Sequence, residues 1–187
     1  YGRVRHAFFG IVPADVGKSF IRSRGEGGVL VEKILPDSPA LNSGIRVADV
    51  VIAIDNVPLT SKEDFYSFLA TYTPDDKVEL TLLRGLEEIN LQVQFTALPD
   101  GYVMAYTRRV FGFDLRQSRR GLLVDNVEEG SPADRIGIRA GDQIVKVAGY
   151  EPETLDQFLD LMEQMLGRVP LEFLVARDQR GYLVELP

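Results

Sequence analysis

Two tracts of this sequence carry a pattern with a direct chemical use. Phe8-Phe9-Gly10-Ile11 and Val110-Phe111-Gly112-Phe113 each set a glycine among bulky apolar residues. Such a glycine marks a strand whose backbone turns or is approached closely. A glycine loop can aim several backbone N–H groups at one point, which suits a carboxylate. A strand edge left open beside a helix forms a groove. An extended peptide can add to that edge as a further strand, with main-chain hydrogen bonds supplying affinity and side-chain pockets supplying selectivity.

Other chemistry is poorly supplied. The chain has one histidine, His6, and no cysteine. A Ser–His–Asp arrangement would have to use His6, and no Gly-x-Ser-x-Gly motif occurs. Beside Arg3 and Arg5, His6 reads as a solvated linker residue. Without cysteine there is no disulfide, thiolate metal site or cysteine nucleophile. No group of acidic residues and His6 has metal-ligand spacing. Asp75-Asp76, Glu87-Glu88 and Glu128-Glu129 fall at expected turns and read as solvated surface. Gly25-Glu26-Gly27-Gly28 has neither the Gly-Lys-Ser/Thr of a phosphate loop nor the spacing of a dinucleotide fingerprint. The expectation is no catalytic residue, no cofactor and no metal. A formal net charge of −7 argues against a nucleic-acid partner. No apolar run approaches the roughly 20 residues that cross a bilayer, so no membrane insertion is expected. The chain starts Tyr1-Gly2-Arg3-Val4-Arg5, with neither Met nor a signal sequence, and is expected to be a piece of a longer protein.

The elements that would position the glycine tracts occur twice. Ser38-Pro39-Ala40 recurs 93 residues later as Ser131-Pro132-Ala133, Gly44-Ile45-Arg46 as Gly137-Ile138-Arg139, Asp49 as Asp142 and Arg84 as Arg177. A period this long suits a small domain rather than a solenoid unit. Ser-Pro-Ala reads as a helix start, with Ser as N-cap and Pro at the first helical position. Longer helices are expected over 61–70 and 154–166, each with the spacing of a capping box. Their apolar positions repeat at helical spacing. Strands are expected over 29–35, 50–54, 78–83 and 89–95, and over 122–127, 143–147, 171–175 and 182–186. The copies differ between glycine tract and second strand. Gly10 to Gly28 spans 18 positions, against 9 from Gly112 to Gly121, so the first copy carries a longer basic loop through Lys18, Arg22 and Arg24.

The order of these parts resembles a PDZ domain in its bacterial arrangement: glycine loop, Gly-Val-Leu-Val strand, Ser-Pro-Ala helix, Gly-Ile-Arg-x-x-Asp turn and longer helix. The tract from Gly2 to Ile11 further resembles the junction after the protease domain of HtrA/Deg serine proteases, where two PDZ domains often follow in tandem. The resemblance covers essentially the whole chain. It implies an α+β fold of two PDZ-like, partly open β-barrels or sandwiches, each with a short and a longer helix. The first would span 1–97, with 1–7 a linker from an upstream domain; 98–107 would be a linker and 108–187 the second domain.

The resemblance also implies the binding residues. In the first domain the carboxylate loop would be Phe8, Phe9, Gly10 and Ile11, with Lys62, Tyr66 and Leu69 on the helix wall. In the second it would be Val110, Phe111, Gly112 and Phe113, continued by Leu115, with Leu155, Leu159 and Met162 on the wall. Phe65 and Phe158 lie one position off those faces and are expected in the core. Where the second copy has Gly141 before its Asp, the first has Ala48, which implies a different local turn. Arg108, Arg109, Arg116, Arg119 and Arg120 surround the second loop; they would attract an acidic peptide, or else balance acidic neighbours. The implied function is recognition of hydrophobic C-termini or extended segments of unfolded substrates, as the regulatory part of an HtrA-like protease. Its own protease domain or neighbouring subunits are further implied partners, and the implied location is the bacterial periplasm or envelope. The alternatives are an oligomerisation module, or the PDZ region of a secretion component or another envelope protease.

Overall fold

The structure, a computed structural model, describes residues 7–187, so the expectations on His6 and the rest of 1–6 lie outside the described residues. The chain divides into two units between Leu98 and Pro99. In the first, β1 (Ile11–Asp15), α1 (Lys18–Arg24), β2 (Val29–Ile34), α2 (Pro39–Asn42), β3 (Val50–Ile54), β4 (Val57–Pro58), α3 (Lys62–Leu69), β5 (Lys77–Arg84) and β6 (Glu87–Gln94) follow in order. The second runs α4 (Tyr102–Phe111), β7 (Phe113–Ser118), β8 (Gly121–Val127), α5 (Pro132–Arg135), β9 (Gln143–Val147), α6 (Leu155–Met165), β10 (Leu171–Arg177) and β11 (Arg180–Leu186). Each unit is built on one open antiparallel sheet, β1-β2-β3-β5-β6 with β4 on β3, and β7-β8-β9-β10-β11. The fold is α+β, and among the described residues neither sheet closes into a barrel.

Local chemistry accounts for the shared helices. Ser38 and Ser131 cap α2 and α5, accepting from the N–H groups of Leu41 and Asp134. Ser61 and Asp64 form a complete capping box on α3. Thr154 caps α6 by accepting from Gln157 N–H, while Gln157 Oε1 accepts from Glu153 N–H, one residue earlier than in a capping box. Each core is rich in phenylalanine. Phe9 lies 5.8 Å from Phe65 and 5.5 Å from Phe95 between ring centroids. Phe111 and Phe113 meet Phe173 at 5.4 and 5.8 Å. Phe65 and Phe158 are core residues, as their helix positions imply.

The Gly-Ile-Arg-x-x-Asp motif has one physical role in both units. Asp49 and Asp142 are buried, and each carboxylate takes two bonds from one guanidinium, Arg84 at 2.9 and 2.8 Å and Arg177 at 2.6 and 2.7 Å. Each also accepts from a backbone N–H, that of Arg46 at 2.8 Å or Arg139 at 2.7 Å. The same guanidinium donates to Gly44 O or Gly137 O. The motif thus joins a loop to the strand β5 or β10. Ala48 in the first unit takes φ 73°, the conformation of Gly141 at φ 91°, so the turn is kept without glycine.

Two expectations are corrected here. Most of the 98–107 stretch expected as a linker is the start of α4, a helix of the second unit whose Val103, Tyr106, Thr107 and Phe111 are buried. Their helical spacing was the available signal. The long basic loop of the first unit is partly the helix α1, bracketed by Gly17 and by Gly25 at φ 77°, with none of its residues buried. Seven residues are too few for periodicity to declare a helix. α4 is held down at Tyr106, whose hydroxyl accepts from the buried Gly167 N–H at 3.3 Å. Burial pushes the pKa of this phenol up. Tyr106→Phe leaves that N–H unpaired, and a loss of about 1–2 kcal/mol confined to the second unit's unfolding transition is expected in urea titration.

Candidate functional site

Strand β1 is the outer strand of the first sheet and α3 packs beside it; β7 and α6 stand in the same relation in the second. The hydrogen bonds behind each edge strand define which of its groups face outward. Leu35 N–H donates to Gly10 O at 2.8 Å, so Ile11 opposes Ile34 in a pair that exchanges no bonds. The register then shifts between Val12 and Pro13. Val31, opposite Pro13, spends both main-chain groups on the other side, donating to Asp49 O and accepting from Ala48 N–H. The outward positions of β1 are therefore Ile11, Pro13 and Asp15. In β7, Glu128 N–H donates to Gly112 O, the register shifts between Asp114 and Leu115, and Val124 bonds to Asp142 and Gly141. Its outward positions are Phe113, Leu115 and Gln117.

The far end of each edge strand is tied to the helix beside it. Lys62 N–H donates to Asp15 Oδ1 at 2.9 Å. Leu155 N–H donates to Gln117 Oε1 at 2.7 Å, and Gln117 Nε2 donates to Glu153 O at 3.2 Å. Asp15 and Gln117 are 102 residues apart and occupy the same strand position. These two ties set the spacing of strand and helix, and sequence reasoning missed both residues. Their signal was position: each lies five residues after its loop glycine, on the outward face of a period-2 strand. In the first unit Gly27 also packs against Thr60, where a Cβ would run into the Thr60 carbonyl. Both feet of α1 therefore stand at the N-terminal end of α3.

The near end is the glycine loop. Gly10 and Gly112 have φ of 92° and 87°, and a Cβ on either would collide with the Cβ and Oγ of the N-cap serine, Ser38 or Ser131. Only glycine allows the loop to sit on the start of the short helix. In the first unit the loop is pinned through its carbonyls: Phe9 O accepts from Ala40 N–H at 3.0 Å, and Gly10 O from Leu35 N–H. Among the described residues the N–H groups of Phe9 and Gly10 have no acceptor, although both residues are buried. In the second unit the loop is the end of α4. The Phe111 N–H belongs to its last turn, and the Gly112 N–H donates back to Thr107 O at 3.2 Å.

Each expected site residue has a definite place. Phe8, Phe9, Gly10 and Ile11 form the loop and strand start, but the side chains of Phe8, Phe9 and Ile11 are buried, Phe9 to 1% exposure, so main chain is what the tract presents. Lys62, Tyr66 and Leu69 are half-buried on α3. Leu155 and Leu159 are half-buried on α6, whereas Met162 is fully buried and joins the core instead of the wall. Val110 is half-buried and, with Phe111, helical rather than strand-like; Phe111, Phe113 and Leu115 are buried, and Gly112 is the helix C-cap. Of the arginines around the second loop, Arg108 pairs with Asp114 at 2.8 Å and Arg116 with Asp125 at 3.0 Å. The acidic neighbours balance at least these two charges.

PDZ domain family models match residues 14–95 and 123–175. Among curated relatives, a probable periplasmic serine endoprotease DegP-like of Pseudomonas putida (strain W619) is 26% identical over 207 aligned residues, covering 98% of this chain and 43% of the relative. The periplasmic serine endoprotease DegP of Escherichia coli (strain K12) is 25% identical over 152 residues, covering 78% and 32%. The crystal structure of a serine endoprotease from Yersinia pestis aligns at 30% identity with a TM-score of 0.44, over 52% of this chain and 31% of that one. The chain thus spans less than half the length of the curated relatives it matches. It belongs to the PDZ family, with two PDZ domains in tandem that resemble the C-terminal region of HtrA/Deg-type bacterial serine proteases.

Proposed function

We propose that this chain is the substrate-recognition and regulatory part of a periplasmic HtrA-like serine protease, and that it does no catalysis itself. Each domain accepts an extended segment of a client protein, a hydrophobic C-terminus or an unfolded stretch, as an added strand. The observation that carries this reading is the paired geometry. In both units an open edge strand runs beside a capped helix, with outward main-chain groups at alternate residues and a glycine loop at its head. The half-buried side chains Tyr66, Leu69, Leu155 and Leu159 offer apolar walls for the added strand's side chains. The relatives are named as serine endoproteases and extend well beyond the matched region, which supports the reading that the peptidase activity of such a protein lies outside these domains.

The test is a titration of the 15N-labelled chain with the hexapeptide acetyl-Ser-Thr-Val-Tyr-Val-Val carrying a free carboxylate. Saturable shifts are expected at 9–15 and 113–117 and along α3 and α6. Shifts scattered over the surface, or none, would remove the groove reading.

A further inference from the structure

Resting on that reading, we infer that the two domains take different parts of a client chain. The first holds a free C-terminus by its carboxylate and reads little beyond the last residues. The second takes an internal extended stretch and has no carboxylate site.

The loops differ in what they leave unspent. In the first domain, bonds to the carbonyls of Phe9 and Gly10 fix the loop, and the two N–H groups of these buried residues are left without an acceptor among the described residues. Buried backbone donors without a partner are rare, and an anion is the natural partner for two adjacent ones. In the second domain, the corresponding N–H groups of Phe111 and Gly112 are turned back into α4. The C-terminal end of a ten-residue helix also puts its negative dipole end at this point, which disfavours a carboxylate.

The edge strands differ in the opposite sense. The middle outward position of β1 is Pro13, which has no N–H, so a strand added there finds donors at Ile11 and Asp15 with a gap between. The same position in β7 is Leu115, and Phe113, Leu115 and Gln117 offer three donors in succession. Proline on an outer edge is also a common way to stop indefinite strand addition. The first groove therefore gains most at its head and loses along its length. The second gains along its length and offers nothing at its head.

The experiment compares the free acid and the C-terminal amide of the same hexapeptide on the whole labelled chain, reading 9–15 and 113–117 separately. Amidation is expected to weaken binding at the first domain roughly tenfold or more, since a charge-assisted bond to two donors is lost. At the second domain the acid and the amide should bind equally within about twofold. An equal loss at both domains, a larger loss at the second, or no loss at the first overturns the inference while leaving the groove reading intact. Shifts in neither groove with either peptide would remove the groove reading itself, and the inference with it. Pro13→Ala restores the missing donor, and the acid should then bind the first domain roughly three- to tenfold more tightly, with the acid-to-amide ratio unchanged. No gain from a folded Pro13→Ala chain overturns the part of the inference that concerns the strand. The acid–amide comparison on the unsubstituted chain stands by itself, whatever that variant does.

Discussion

Gly112→Ala should destabilise the second domain by about 4 kcal/mol, and Gly10→Ala should do the same to the first. Two costs combine. A non-glycine residue held at φ near +90° costs about 1–3 kcal/mol. Forcing a methyl group into filled space costs about 1–3 kcal/mol more. Here the space is filled by the Cβ and Oγ of the N-cap serine. A Cβ is not the free end of a flexible chain, so relief requires moving the start of α2 or α5. Ser38 is itself committed, donating to Leu35 O at 2.7 Å and accepting from Leu41 N–H at 3.3 Å. The control is Gly137→Ala, with φ 89° but nothing within 4 Å of the added Cβ. It should cost only the conformational part, about 1–3 kcal/mol. Urea unfolding of each variant decides the matter: equal losses for Gly112→Ala and Gly137→Ala would show that the contact with Ser131 does not count. Against a typical domain stability of roughly 5–15 kcal/mol, a loss of this size should leave a folded but fragile domain.

Removing Asp142 should be nearly as damaging, and its effect should depend on pH. Breaking a buried pair by deleting one partner costs about 3–5 kcal/mol in general. The lower end is expected here, because Arg177 keeps 31% exposure and can recover water. The Arg139 N–H also loses its acceptor. Burial by itself would raise the Asp142 pKa. Hydrogen bonds from Arg177 and Arg139 N–H, with the attraction of both guanidiniums, outweigh burial and hold the carboxyl below the ordinary aspartate value. A carboxyl depressed on folding contributes stability that is complete above its unfolded pKa of about 3.9 and lost as pH falls through the lower folded value. The stability gap between the natural chain and Asp142→Asn should therefore be widest above about pH 5 and shrink in acid. A gap that stays constant from pH 6 down to strongly acid solution would mean that the ionised carboxylate is not what the guanidinium holds.

These two cases also show how much could be read from the chain. The motif Gly-Ile-Arg-x-x-Asp and a distant Arg recur in both halves at one spacing, and the structure gives them one job. Ser38, Ser131, Ser61 and Thr154 cap the helices that their positions imply. These are local effects: a cap needs only the next three residues, and a repeat needs only comparison of the chain with itself. Gly10 and Gly112 are legible as special backbone positions, but the sequence does not say which way their bulky neighbours face. Phe9, Phe111, Phe113 and Met162 have the hydrophobic character of either a groove wall or a core. Only packing of the sheet against α3 and α6 turned them inward. Within 98–107 the strong turn signal Pro99-Asp100-Gly101 masks the helical spacing of Val103, Tyr106 and Thr107 behind it.

The residue pattern by itself determined two related domains, their helix starts and the two glycine loops. It did so because each depends on a short run of residues or on identity between the copies. That the recurring Asp and Arg pair with each other is a tertiary result. Only the tertiary structure decided what the glycine loops leave available. Whether an N–H at position 9, 10, 111 or 112 is free depends on a carbonyl far away or on a helix ending at that residue. Whether Pro13 matters depends on a register shift that puts its nitrogen on the open side of the sheet. Similar loops at the head of two edge strands have thus become unlike sites, through hydrogen bonds that no single stretch of sequence contains.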